Sequence, residues 1–109
     1  MADVTKILGQ AALSATTLTD VYTVPGATSS TLSSVTLCNR GGTATTFRLS
    51  VAAAGAADAT KQYLYYDVSL PANDTFTATV GITLATTDVL RAYAGSANVS
   101  VNAFGVEVT

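Results

Sequence analysis

The stretch Lys61 to Leu84, KQYLYYDVSLPANDTFTATVGITL, decides the fold class of this 109-residue chain. In its second half, apolar residues alternate with Thr or Gly; the apolar set is Phe76, Ala78, Val80, Ile82 and Leu84. A period of two is typical of a β-strand with one face in a core and the other in water. The first half is rich in Tyr, Leu and Val, and Pro71 to Asp74 carries turn residues. We therefore expect a β-hairpin here.

A second pair of strand patterns precedes this stretch. Thr31 to Asn39 and Thr45 to Val51 both alternate, and the residues Asn-Arg-Gly-Gly between them tolerate a tight turn. The pattern predicts a companion hairpin that supplies the opposing layer, with Arg48 on its solvent or partner face. The predicted core residues from both hairpins are Phe47, Leu49, Phe76, Val80 and Ile82.

The remaining segments extend the same pattern over the whole chain. Seven or eight short strands are separated by turn signals about every 8 to 12 residues, which predicts an all-β antiparallel β-sandwich or jelly roll. Gly105, inside the last strand, indicates a bulge or a close backbone approach. We expect one domain over residues 16–109, preceded by an N-terminal arm or short edge strand over residues 1–15. Ala52 to Thr60 is predicted to be a mobile loop.

Charged residues are unusually few. They make up 11% of the chain, whereas an ordinary soluble domain has about 25%. A neutral surface fits a small β domain rich in Ala, and it equally fits a subunit packed among many others, because interface cores are depleted of charge. A net charge of −2 and scattered arginines argue against a nucleic-acid partner. The single cysteine, Cys38, is expected to be a small buried hydrophobe.

The sequence shows no targeting or membrane segment, so we expect synthesis in a reducing cytoplasm and no membrane partner. The chain contains no histidine, which is the commonest general base and metal ligand. Asp58, Asp74 and Asp88 stand in turn contexts, which favours capping of backbone amides over a loop calcium site and over catalysis. We expect no enzymatic activity, no metal and no cofactor.

The aromatic cluster YLYY is the best candidate for recognition. Strand alternation places Tyr63 and Tyr65 on one face and Tyr66 on the other. The shared face has three explanations, namely a cross-strand packing ladder, a subunit interface and a sugar-binding surface. The predicted interface residues combine this face, the neighbouring strand and the Ala-rich loop: Tyr63, Tyr65, Arg48, Ala56 and Asp58.

Four short motifs occur in order along the chain. They are T-D-x-Y-T-V-P at Thr19 to Pro25, x-C-N-R at Leu37 to Arg40, T-F-R-x-S-V at Thr46 to Val51, and Y-L-Y-Y-D at Tyr63 to Asp67. In these motifs the chain resembles a group of small virion structural proteins of tailed bacteriophages. The likeness extends from about Thr16 to Ala94, and its motifs carry turns and strands rather than a catalytic site.

The resemblance implies a virion component made in the host bacterial cytoplasm. The first interpretation is a capsid decoration or cement protein that contacts the major capsid protein or other virion structural proteins, as a homo-oligomer with a trimer favoured. The second is a head-to-tail, tail or baseplate component, or the platform for a fibre. A third interpretation, from the residues themselves, is a carbohydrate-binding module that uses the face of Tyr63 and Tyr65.

Overall fold

A computed structural model describes residues 3–79 and 81–109 of the chain. These residues form β-strands and two short 3-10 turns, and the chain has a radius of gyration of 13.5 Å. The strands are β1 (Asp3–Ala12), β2 (Thr19–Thr23), β3 (Ser29–Asn39), β4 (Thr45–Ala52), β5 (Tyr63–Leu70), β6 (Thr75–Ala78), β7 (Ile82–Leu84), β8 (Val89–Ala94) and β9 (Val99–Val108). The 3-10 turns, Ala53–Gly55 and Thr60–Gln62, lie between β4 and β5.

The strands form two antiparallel sheets. One has the order β1-β9-β3-β6, with β7 also paired to β3, and the other has the order β2-β8-β4-β5. Because β6 and β7 pair with successive parts of β3, they behave as one interrupted strand. The first strand then pairs with the last, the second with the next to last, and so on inward, which is the strand order of a jelly roll. The all-β fold class is confirmed.

The described residues contain nine strands rather than the seven or eight expected. The additional strand arises because the predicted strand from Thr75 to Leu84 is broken between Ala78 and Ile82. Its alternation is nevertheless confirmed on both sides of the break, since Ala78 and Leu84 are buried and Thr77 and Thr83 are exposed.

Both predicted hairpins are wrong in their pairing. β3 lies in the five-stranded sheet and β4 in the four-stranded sheet, so residues 40–44 carry the chain from one sheet to the other. Residues 71–74 do the same between β5 and β6. Turn residues specify that the chain reverses, but they do not specify whether the returning strand pairs with its neighbour or packs over it.

Asn39 holds these two crossings together from the end of β3. Its side chain is fully buried, and its amide nitrogen lies 2.9 Å from the carbonyl oxygen of Thr43, 3.3 Å from that of Leu70 and 3.2 Å from that of Pro71. Its side-chain oxygen accepts a 3.0 Å hydrogen bond from the backbone N–H of Gly41. One buried amide therefore satisfies backbone groups of both connections.

The core lies between the sheets. Of the predicted core residues, Phe47 and Leu49 are fully buried, and Phe76 and Ile82 are partly buried against them. Val80 lies outside the described residues. The core also includes Leu32, Leu37, Leu70, Leu90, Val99 and Val101.

The N-terminal segment forms an edge strand over Asp3–Ala12, paired along its length with β9. Leu8 is buried in the core, which anchors this strand. The prediction for Gly105 is confirmed, because a Cβ at this position would overlap the carbonyl oxygen of Thr31 on the neighbouring strand. No described helix has the length and apolar character needed to cross a membrane.

A polar network joins the two sheets at one end of the core. The Tyr22 hydroxyl lies 2.6 Å from both Ser30 Oγ and Glu107 Oε2, and Lys6 Nζ forms a 2.9 Å ion pair with Glu107 Oε1. Burial and the bond to Glu107 raise the pKa of Tyr22 to about 12. The hydrogen bond from Tyr22, followed by that from Lys6, lowers the pKa of Glu107 below its ordinary value. The network links β1, β2, β3 and β9.

Candidate functional site

The outer face of the five-stranded sheet is free of charge over most of its area. Its outward positions alternate with the buried residues Val101 and Ala103 of β9 and with Val35 and Leu37 of β3. The strand registers align these outward residues across the face: Thr5, Ile7, Thr31, Thr36, Cys38, Ser100, Asn102, Phe104 and Val106. Cys38 is therefore half-buried at an outward position, and the expectation that it is fully buried is wrong. Among the outward positions of this sheet within the described residues, one carries a charged side chain, namely Asp3 at the start of β1.

Apolar groups concentrate at one end of this uncharged face. Ile7 has 52% of its surface exposed, although it is a large hydrophobic residue, and it lies directly opposite the half-buried Phe104. A cavity of about 380 Å³ is lined by Thr5, Lys6, Thr31, Ser33, Phe104, Gly105 and Val106. The charge of Lys6 is engaged by Glu107. The face thus combines neutral hydroxyls with exposed apolar area.

The outer face of the four-stranded sheet has the opposite character, with Arg48 at its centre. Its guanidinium forms hydrogen bonds of 2.7 and 3.4 Å with the two carboxylate oxygens of Asp67. The same group lies 4.2 Å from the ring centre of Tyr66 and 4.3 Å from that of Tyr93. The bond to Asp67 raises the pKa of Arg48 above its ordinary value. Arg48 is therefore paired and covered on both sides, as cation–π geometry favours.

Two register shifts in β5 decide which tyrosines reach this face. Phe47 pairs with Val68, Leu49 with Tyr65 and Ser50 with Tyr63, so β5 has extra residues at two points. Asp67, in the bulge between Tyr65 and Val68, has a φ of 51°, which few non-glycine residues adopt. Each bulge changes the side on which the following residues point.

The predicted shared face of Tyr63 and Tyr65 is consequently wrong. Tyr65 packs toward the core, with its ring centre 6.2 Å from that of Phe47 and 5.2 Å from that of Phe76. Tyr63 instead meets Tyr66, at 5.0 Å between ring centres and an angle of 89°. The alternation of residue types did not predict this arrangement, because a bulge cannot be recognised from a period-two pattern in the sequence.

The loop between β4 and β5 is tied to the same face. Arg91 pairs with Asp20 at 2.9 Å and donates hydrogen bonds to the carbonyl oxygens of Ala56, at 2.8 Å, and Gly55, at 3.3 Å. Gln62 is buried and donates to the carbonyl oxygen of Ala57 at 2.9 Å. The segment predicted to be mobile is therefore fastened to the sheet by side-chain bonds.

The five predicted interface residues fall into three groups. Arg48, Tyr63 and Asp58 form the first group, in which burial and the Asp58 carboxylate raise the pKa of Tyr63 while Arg48 lowers it. Ala56 is exposed and lies at the point where Arg91 holds the loop. Tyr65 faces inward. The prediction omitted three residues of the cluster, which are Tyr66, Asp67 and Tyr93.

The carboxylates of the turns mainly serve the backbone. Asp88 accepts hydrogen bonds from the N–H groups of Ala54, at 2.9 Å, and Ala85, at 2.8 Å, and Asp74 accepts one from Thr75 at 2.8 Å. Capping is confirmed for these two residues, whereas Asp58 interacts with Tyr63. Over residues 3–79 and 81–109, no group of three metal-ligating side chains is placed to hold an ion.

Every outer edge of the two sheets is interrupted. The register shifts in β1 near Leu8, in β2 near Val21 and twice in β5, and the β6–β7 edge is broken between Ala78 and Ile82. Bulges and breaks of this kind hinder the addition of a further strand from another chain. The faces, rather than the edges, are therefore the surfaces suited to contact.

The fold and its faces define a class, an antiparallel jelly roll with one uncharged outer face and one aromatic and charged outer face. Comparison with protein-family models, with curated proteins and with solved structures finds no match for this chain.

Proposed function

We propose that this protein is a non-enzymatic structural subunit of a bacteriophage virion, and specifically a capsid decoration or cement protein. It binds neighbouring subunits through the outer face of its five-stranded sheet. The observation that carries the proposal is that, within the described residues, the outward positions of β1, β3 and β9 on that face carry no charged side chain other than Asp3. Such a face can be buried without desolvating an ion.

The size of this face suits the role. Four strands spaced at about 4.8 Å and running about 34 Å cover about 650 Å². A standard protein–protein interface buries about 800 Å² on each partner. The face and its rim therefore approach the area that a specific contact requires, and the exposed Ile7 and half-buried Phe104 supply apolar anchors within it.

The motifs that resemble phage virion proteins form structural parts of the fold. Thr19 to Pro25 contains β2, Thr46 to Val51 lies in β4, and Tyr63 to Asp67 contains the bulges of β5. The motif from Leu37 to Arg40 includes Asn39, which joins the two crossings. The jelly roll recurs in viral capsid domains, which supports the proposal only as an analogy of fold.

The direct test is the copy number of the chain in purified particles, measured by quantitative mass spectrometry against a labelled standard. We expect hundreds of copies per particle, because a decoration protein follows the lattice of the major capsid protein. A few to a dozen copies would support a neck, tail or baseplate position instead. Absence from particles produced by cells that express the chain would overturn the proposal.

A further inference from the structure

The corner between Tyr63 and Tyr66 is a concave site on the outer face of the four-stranded sheet. The two rings meet at 89°, and a cavity of about 510 Å³ is bordered by these rings and Thr60. Small-molecule sites commonly measure about 300 to 1,000 Å³ and combine aromatic walls with a few polar groups. The site has this composition, because two tyrosine rings and the hydroxyl-bearing Thr60 line it, and Asp58 raises the pKa of Tyr63 beside it.

The charges around this corner favour a neutral ligand. The guanidinium of Arg48 is engaged by Asp67 and lies between Tyr66 and Tyr93, so its charge is already compensated. Asp58 adds a carboxylate that repels anions such as phosphate. Lys61 borders a different cavity, together with Gln62 and Leu64.

The polar groups suit a ligand that is rich in hydroxyls. Asp58 can accept hydrogen bonds from ligand hydroxyls, and the hydroxyls of Thr60 and Tyr63 can both donate and accept them. A pyranose ring presents an apolar C–H face, which stacks on an aromatic ring, and hydroxyls around its rim. We propose that this corner between Tyr63 and Tyr66 is a binding site for a neutral saccharide. This function is additional to the structural role.

The site is held in place before any ligand arrives. The guanidinium of Arg48 lies 4.2 Å from the ring centre of Tyr66, and Tyr63 meets the Tyr66 ring at an angle of 89°. One register shift of β5 lies between Tyr63 and Tyr65, and the second, which includes Asp67, follows Tyr65, so the two shifts set the positions of both tyrosines on the strand. A ligand that binds a prearranged site loses less free energy to ordering of the protein.

The test is an NMR titration of the full ¹⁵N-labelled chain with methyl glucoside, methyl galactoside and N-acetylglucosamine. Each sugar is added to about 50 mM, because a site that binds one sugar ring is expected to have a weak, millimolar affinity. We expect saturable shifts at residues 58–66 for at least one sugar. Tyr66→Ala should weaken that binding about tenfold through loss of stacking. Tyr66→Phe should retain it, and Asp58→Asn should weaken it about threefold through loss of a charged acceptor.

Leu64→Ala provides the matched control, since Leu64 is an exposed residue of the same strand that borders another cavity. It should leave sugar binding unchanged. No saturable shift with any of the three sugars, or unchanged binding by both Tyr66→Ala and Asp58→Asn, would overturn the inference. Loss of Tyr66→Ala from particles without any sugar binding would instead identify the corner as a protein contact. Because the titration uses the isolated chain, its failure is distinct from failure of the virion role.

Discussion

The two outer faces of this molecule differ in how they handle charge. The four-stranded face carries Arg48, Asp67, Arg91 and Asp20, and each arginine is paired with a carboxylate at 2.7 to 2.9 Å. The five-stranded face carries Thr, Ser, Asn and apolar residues at its outward positions, with Asp3 at its end. Both are faces of the same thin sandwich, so the difference reflects side-chain choice rather than exposure of the backbone.

The difference indicates which face can be buried in an assembly. Moving a charged group out of water costs several kcal/mol unless it is paired and fully hydrogen-bonded. Threonine and serine cost much less, because a hydroxyl can find a new partner in the interface. The uncharged face therefore suits a broad protein contact, whereas the charged face suits water and a small neutral ligand held at one corner.

The strongest challenge to this distinction is a charge placed on each face in turn. Thr31→Arg adds a cation to the uncharged face, and we expect it to reduce incorporation into particles by about 100-fold, because the charge would be buried without a partner. Thr46→Arg makes the same change at an exposed position of β4 and serves as the control. Copies per particle, measured for both variants, give the answer. Equal loss in the two variants would contradict the assignment of the contact to one face.

A second prediction concerns Asn39, which joins the two connections that cross between the sheets. Asn39→Ala should lower the free energy of unfolding by about 3 kcal/mol, because it leaves buried backbone groups of both crossings without partners. The measurement is urea denaturation of the isolated chain. Asn102→Ala, which removes one 2.8 Å bond to Gln10 on the uncharged face, should cost less than about 1 kcal/mol. Similar losses for both variants would show that Asn39 does not have this special role.

A third prediction uses the polar network at the end of the sandwich, where both sheets meet. Because the folded pKa of Glu107 is lowered, its stabilisation is present above its ordinary pKa of 4.5 and is lost as the pH falls through the folded value. Because the pKa of Tyr22 is raised from 10.0 to about 12, its stabilisation is complete below pH 10 and is lost as the pH rises toward 12.

Unfolding free energies measured from pH 2 to 12 would test this prediction, because the range includes the acid transition below 4.5 and the alkaline transition from 10 to about 12. Tyr22→Phe should reduce the dependence at both ends, since it removes the largest influence on Glu107 and the titrating hydroxyl itself. Lys6→Gln should reduce only the acid dependence, and by less. Wild-type pH dependence in the Tyr22→Phe variant would argue against the network.

The smallest expected effect is that of salt on the particle contact. If the uncharged face forms the contact, the apparent affinity for particles should change by less than about twofold between 50 and 500 mM NaCl, because few charges are available to be screened. Binding of purified chain to particles depleted of it can be measured by sedimentation at each salt concentration. A tenfold loss at high salt would transfer the contact to the charged face around Arg48.

Much of the fold was predictable from local patterns. The alternation within Thr75–Ala78 and Ile82–Leu84, the capping by Asp74 and Asp88, and the close approach at Gly105 all depend on residues near in sequence or on the shape of one residue. The pairing of strands was not predictable in the same way. Turn residues allow both a hairpin and a crossing between sheets, so the burial of Asn39 between residues 40–44 and 71–74 became evident only in three dimensions.

The candidate sites show the same division between local and distant information. Arg48 was expected at an outward position, because its neighbours Phe47 and Leu49 are apolar. Tyr65 was misplaced and Tyr66 and Tyr93 were missed, because two bulges in β5 and the pairing of β5 and β8 on either side of β4 bring these rings together. Neither feature changes the local alternation.

By itself, then, the sequence determined that the chain forms short amphipathic strands, that their exposed positions are largely neutral, and that the carboxylates of Asp74 and Asp88 cap turns. These properties follow from residue type and spacing, which act over a few positions along the chain. Only the tertiary structure decided that the neutral positions gather on one sheet and the paired charges and three tyrosines on the other. That sorting depends on which strands become neighbours, and pairing across the whole chain is set by burial of the common core rather than by any local signal.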